Sequence, residues 1–150
     1  MKTPFENYLK KDIREVINLD SLNDTRWRQR FENFERSFKL LEKYSNQEIK
    51  SELERAGIIQ FFEMTFELSW KVLKDYLESQ GYDVKSPRET IKQAFQIGLI
   101  EEGHPWMDAL SKRNLTTHTY DEALAIKFVD EIIEVYVPIF KSLYVKLSKE

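Results

Sequence analysis

The chain is 150 residues long with a formal net charge of −3, a third of its residues charged and no cysteine. That length points to one domain that can bury roughly 70% of its unfolded surface. The missing cysteines exclude disulfides and thiolate metal sites and fit a reducing, cytoplasmic setting. A pI near 5.6 excludes the global basic field of a generic nucleic-acid binder, so any RNA contact has to be local.

The N-terminal stretch "MKTPFENYLKKDIREV" carries charges every few residues and no apolar h-region, so it does not read as a signal peptide. Thr3, Pro4 and Glu6 form a capping box for a helix over 4–19, and "DSLNDT" reads as a polar turn after it. A helix over 22–44 follows, with Trp27, Phe31, Phe34, Phe38 and Leu41 in one apolar stripe. Arg26, Arg28, Arg30 and Arg36 lie off that stripe and read as a solvated face.

"SNQE" at 45–48 reads as a second capping box, opening a long helix to Gln80 that Gly81 closes and Gly57 kinks or breaks. In its second half Gln60, Glu63, Glu67, Lys71, Lys74 and Glu78 make one narrow polar stripe among large apolar residues. A surface helix needs one apolar face, and residues 58–77 offer two adjoining ones. "SPRE" starts a helix with Ser86 as cap, stopping at Gly98. Pro105 opens a short helix ending near Arg113, and the last helix begins at 119–121, with Pro138 interrupting and bending it. No alternating strand pattern, repeat or membrane-length apolar run occurs. The expected fold is all-α: an antiparallel four-helix bundle over 23–150, with an extra N-terminal helix in an extension over 1–22 and a short connecting helix.

The junction "RNLTTHTYDE" at 113–122 concentrates the chemistry. A histidine such as His118 is the side chain type best poised to move a proton near neutral pH, and Arg113 can grip a phosphate with two parallel hydrogen bonds. Placed between two helices, they could converge on one pocket. His118 would then move a proton of a ribose 2'-hydroxyl or a leaving oxygen, and Arg113 would stabilise charge on the phosphoryl oxygens. Asn114 would orient the phosphate or the imidazole. The residues equally allow a plain junction, in which Arg113 pairs with Asp121 or Glu122, His118 and Thr119 cap the last helix, and the Tyr120 ring packs against the turn. His104, in the turn before Pro105, reads as a helix-start residue. No histidine pair has metal spacing and no glycine-rich loop cradles phosphate, so neither a metal nor another cofactor is expected.

The Arg-x4-His-x-Tyr spacing of Arg113, His118 and Tyr120 resembles the motif of HepT-type HEPN-domain proteins. "RWRQRFENFERSFKLLE", "GIIQFFEMTFELSWKVLKDYLESQGY" and "SPRETIKQAFQIGLIEEGHPWMDAL" are similar to the same family, long described as nucleotidyltransferase substrate-binding proteins. The resemblance runs over about residues 24–145. It implies a homodimeric four-helix bundle encoded beside a minimal nucleotidyltransferase antitoxin. It also implies a toxin that cleaves RNA without metal through Arg113, Asn114 and His118, silenced by adenylylation of Tyr120. The family's older description implies instead a non-catalytic subunit that binds nucleotide or substrate for the neighbouring transferase. The double apolar face of 58–77 is consistent with an isologous dimer that sets two motifs across one axis.

Overall fold

The computed structural model describes the backbone of residues 4–115 and 121–150, and the side chains of 21–113 and 121–150. Six α-helices follow one another: α1 (Pro4–Ser45), α2 (Glu52–Ser79), α3 (Pro87–Gln96), α4 (Gly103–Leu115), α5 (Glu122–Glu131) and α6 (Val137–Ser148). A π-helical turn, Ile132–Tyr136, joins the last two. No strand occurs among the described residues.

The direction of the helices is fixed by their cross-contacts. Arg26 meets Glu78, Ser37 meets Thr65 and Tyr44 stacks on Phe61, so α2 returns antiparallel along α1. Arg28 reaches the Glu150 carbonyl and Lys141 reaches Glu42, so α6 is antiparallel to α1 as well. Trp106 meets Phe140, Asp108 meets Tyr136 and Lys112 meets Glu131, so α4 is antiparallel to the last segment and supplies the intervening return, giving the order up-down-up-down, with the shorter α3 running opposite to α4. The helix α2 is the central element and packs against α1, α3, α4, α5 and the π turn.

Two expectations about helix limits are corrected. The "DSLNDT" segment is not a turn, since α1 runs through it without interruption. The segment holds neither glycine nor proline, and its polar side chains serve the helix itself. Asp24 accepts from the Trp27 indole at 2.9 Å and from Arg28 at 3.1 Å, while Thr25 donates to the Ser21 carbonyl. The second correction concerns the start of α2. Ser45 is the last residue of α1, and the working cap is Ser51, whose hydroxyl accepts from the Glu54 N–H while the Glu54 carboxylate accepts from the Ser51 N–H. Two Ser-x-x-Glu patterns lie six residues apart, and the chain uses the later one. Gly57, inside α2, neither breaks nor ends it.

Pro138 interrupts the regular α-helix as read, since the π-helical turn Ile132–Tyr136 ends directly before Val137 and Pro138. Proline has no N–H to give the Glu134 carbonyl. The Val137 N–H reaches back five residues to the Ile132 carbonyl, and the widened π turn carries the helix past the defect. The stops at Gly81 and Gly98 fall where the sequence puts them. Both have positive φ, 91° and 77°, and the following N–H groups of Tyr82 and Leu99 fold back to Leu77 and Ala94. Ser86 caps α3 as read, with Glu89 reaching the Lys85 N–H.

The two apolar faces of α2 are mostly covered within the chain. Ile58, Phe62, Phe66, Val72, Leu73 and Leu77 are buried, Phe61, Leu68 and Trp70 are half-buried, and Met64 is exposed. The arginines of α1 lie on a solvated face as read, with Arg26, Arg28 and Arg36 exposed, and the half-buried Arg30 also holds the buried Asp75 at 3.0 Å, binding α1 to α2.

The two candidate caps can be told apart by mutation. Ser51→Ala is expected to destabilise the protein by about 1 kcal/mol through loss of the cap. Ser45→Ala is expected to cost nothing, because the buried Ser45 hydroxyl has no hydrogen-bond partner among the described residues. Urea unfolding of both variants reads the difference, and equal losses would refute the assignment.

Candidate active site at the end of helix α4

Arg113 sits in the last turn of α4, where the helix dipole favours a cation. Its side chain is about three-quarters buried. The guanidinium Nη1 donates to Glu67 Oε2 at 2.7 Å and lies over the Phe66 ring, 5.6 Å from its centroid. Glu67 is approached from the same helix by Lys71 at 3.5 Å. Burial alone pushes the Glu67 carboxyl up. The Trp70 indole, Arg113 and Lys71 together outweigh it and hold the carboxyl below its usual 4.5. The indole acts here through proximity, because its buried N–H makes no well-formed hydrogen bond.

The Arg113 side chain also lines a cavity of about 280 Å³ between α3 and α4. The other walls are Ser86, Pro87 and Arg88 from the start of α3, and Met107, Leu110 and Ser111 from α4. Beneath this end of α4, Asp108 accepts from the buried Tyr136 hydroxyl at 2.5 Å, and Lys112 pairs with Glu131 at 3.4 Å. Burial, then the Asp108 carboxylate, push the Tyr136 hydroxyl far up, so it stays a proton donor. These bonds lock α4 against α5 and the π turn, the elements on either side of residues 116–120.

Of the residues singled out in the sequence, Arg113 is placed as described. Asn114 belongs to α4 by its backbone, and its side chain, together with His118 and Tyr120, lies outside the described residues. The alternative partners read for this junction are corrected. Arg113 pairs with Glu67, from another helix and 46 positions away. Glu122 is taken by Arg55 at 2.6 Å, which ties the start of α5 to the start of α2. The cap of α5 is Asp121, whose carboxylate accepts from Ala123 and Leu124 N–H groups. His104 is exposed in the first turn of α4, in keeping with a helix-start role.

Glu67 and Arg88 were missed as site residues. Glu67 belongs to a stripe that reads as solvated, and its spacing to Lys71 signals an intrahelical pair, not a contact with α4. Arg88 carries only the signature of a helix start.

An all-helical bundle with an arginine held at the end of a short helix, just before a His and Tyr junction, defines a class. The chain belongs to the family described as nucleotidyltransferase substrate binding protein like, which it matches over residues 29–149. It is similar to a probable ribonuclease HepT from Haemophilus influenzae, 32% identical over 82 residues. That match takes in 51% of this chain and 56% of the relative, so it spans little more than half the relative's length. It is also similar to a crystal structure of a protein from Thermus thermophilus, with 33% identity and a TM-score of 0.70, covering 76% of this chain and 98% of that one. No described helix is long and apolar enough to cross a membrane.

The lowered Glu67 carboxyl sets a pH dependence. Its stabilisation is complete above the unfolded value near 4.5 and is lost as pH falls through the lower folded value. Both partners are partly solvated, so the contribution is at most about 1 kcal/mol. Glu67→Gln is therefore expected to be slightly less stable than the parent at pH 7, with the two thermal midpoints converging below pH 4.5. A constant difference down to about pH 3 would contradict it.

Proposed function

We propose that this protein is a metal-independent endoribonuclease, the toxin of a toxin–antitoxin pair with a minimal nucleotidyltransferase, working in the cytoplasm as a homodimer. The observation that carries the reading is Arg113, an arginine fixed at 2.7 Å on Glu67, lining a cavity close in size to a small-ligand site, five residues ahead of His118. Membership of the family and the similarity to a probable ribonuclease support it.

In this reading the ribose 2'-oxygen attacks the adjacent phosphorus and the bond to the 5'-oxygen breaks. His118 handles the proton leaving the 2'-hydroxyl or the one returned to the 5'-oxygen. Arg113 faces the phosphoryl oxygens as charge builds on them, and Asn114 orients phosphate or imidazole. The products are a 2',3'-cyclic phosphate and a 5'-hydroxyl. Glu67 holds the guanidinium by one edge, which fixes its direction before substrate arrives.

Arg113→Ala and His118→Ala are each expected to lower RNA cleavage at least ~10²-fold. Arg113 is held by one partly solvated ion pair, so its loss should change stability by about 1 kcal/mol or less, and both variants are expected to stay folded. EDTA should leave the parent's rate unchanged. Parent-like cleavage by either variant would sink the assignment. Growth arrest on expression without the transferase separates this reading from the substrate-binding one, which the family's description favours.

Tyr120 is proposed as the regulatory site. Its hydroxyl attacks the α-phosphorus of ATP in the transferase, pyrophosphate leaves, and the attached AMP brings a negative phosphodiester to a site built around Arg113. Intact-protein mass after incubation with ATP, magnesium and the transferase should rise by whole AMP units, and Tyr120→Phe should abolish the gain. Labelling that survives Tyr120→Phe would exclude this residue.

A further inference from the structure

We propose that the cavity between α3 and α4 is a subsite for an RNA backbone phosphate neighbouring the one that is cut, and that Arg88 is the residue that binds it. The inference rests on the ribonuclease reading of Arg113 and extends it to a second phosphate.

The first argument is composition. In a chain with 26 acidic residues and a net charge of −3, the walls of this cavity contain two arginines and no carboxylate among the described residues. The second is availability. Arg26, Arg28, Arg30, Arg55 and Arg113 each hold a carboxylate. Arg88 is exposed and has neither an ion pair nor a hydrogen bond among the described residues. An unpaired guanidinium at the mouth of a pocket keeps its full charge and its planar fork of donors, which fits two phosphate oxygens at once. The third is shape. Ser86, whose hydroxyl caps α3, and Ser111 stand at the wall, and Met107, Leu110 and Pro87 form an apolar lining against which a sugar or base can lie. Arg113 opens onto the same cavity, so a strand whose scissile phosphate meets Arg113 leads its next phosphate towards Arg88. An acidic protein thereby gains a local site for a polyanion without an overall basic surface.

The test is binding of a fluorescent single-stranded RNA oligonucleotide to the uncut complex, made with His118→Ala. On that background Arg88→Ala is expected to weaken binding roughly tenfold or more, the loss of one charged bidentate contact. It should also lower the slope of log affinity against log salt by about 0.7, one phosphate for a single strand. Arg88→Lys should recover part of the affinity. Arg36 on α1, which likewise has no ion pair among the described residues, serves as control, and Arg36→Ala should bind as the background does. Free AMP distinguishes a strand site from a nucleotide pocket. Competition only at concentrations far above those of the oligonucleotide supports the strand, and equal competition overturns it. If Arg88→Ala binds normally while the parent cuts RNA, this subsite is wrong and the ribonuclease reading stands. If binding depends on Arg88 but the parent cuts nothing, the ribonuclease reading falls and with it the subsite beside a cut phosphate, leaving Arg88 only as an RNA contact. A chain that binds no RNA overturns both.

Discussion

Burial of Phe62 is the constraint on which the other helices depend. This side chain of α2 is fully buried, and its ring meets Phe128 of α5 at 5.3 Å, Tyr136 of the π turn at 5.1 Å, Phe140 of α6 at 6.1 Å and Phe66 at 6.2 Å. Trp106 of α4 closes the cluster against Phe140 and Phe66. Edge-to-face and tilted pairs of this kind reward particular angles as well as area. One residue thus sets the distances of the last three helical segments from α2. The Tyr136 hydroxyl, at the edge of the cluster, has Asp108 as its acceptor. Asp108 lies between one and two helical turns before Arg113 on α4. The core that holds the bundle and the bond that sets α4 are therefore the same piece of structure.

What the sequence makes legible follows from the range of the forces involved. Apolar periodicity is a local signal, and the stripe from Trp27 to Leu41 places the second half of α1 correctly because every member contacts the core or lies beside it. Glycine stops are local too, since a positive φ is a property of one residue, and Gly81 and Gly98 stand where the sequence places them. Polar segments are harder. "DSLNDT" and "SNQE" carry the same residue types as real turns and caps, and their role is decided by competition. Asp24 finds Trp27 and Arg28 within about one turn of itself, so the helix wins over the turn. Ser51 displaces Ser45 because Ser45 is already inside α1 and buried.

The site shows the same division more sharply. Arg113 is conspicuous in the sequence through its spacing to His118 and Tyr120. Glu67 is not, since it stands 46 positions away from the arginine it binds, and only tertiary packing joins them. An arginine and an acid near it in sequence look like natural partners, yet Glu122 belongs to Arg55 and Asp121 belongs to the α5 backbone. Both nearby acids are thus used to fix the start of α5. That division of labour leaves Arg113 to be positioned from α2, the most central element of the fold.

The ion pair also limits what Arg113 can do. A guanidinium already bound to a carboxylate offers a phosphate less net charge than a free one, so Arg113 alone is a weak anchor for RNA in a protein of acidic balance. Its value lies in direction: a cation fixed beforehand loses little on meeting a transition state, whereas attraction over distance needs charge that is not already neutralised. Affinity and positioning therefore call for different cations. Glu67 makes Arg113 suited to the second task. The first then falls to groups outside that pair, and a basic residue on the wall of the same cavity, with no carboxylate among the cavity's other lining residues, meets the requirement without altering the acidic surface elsewhere.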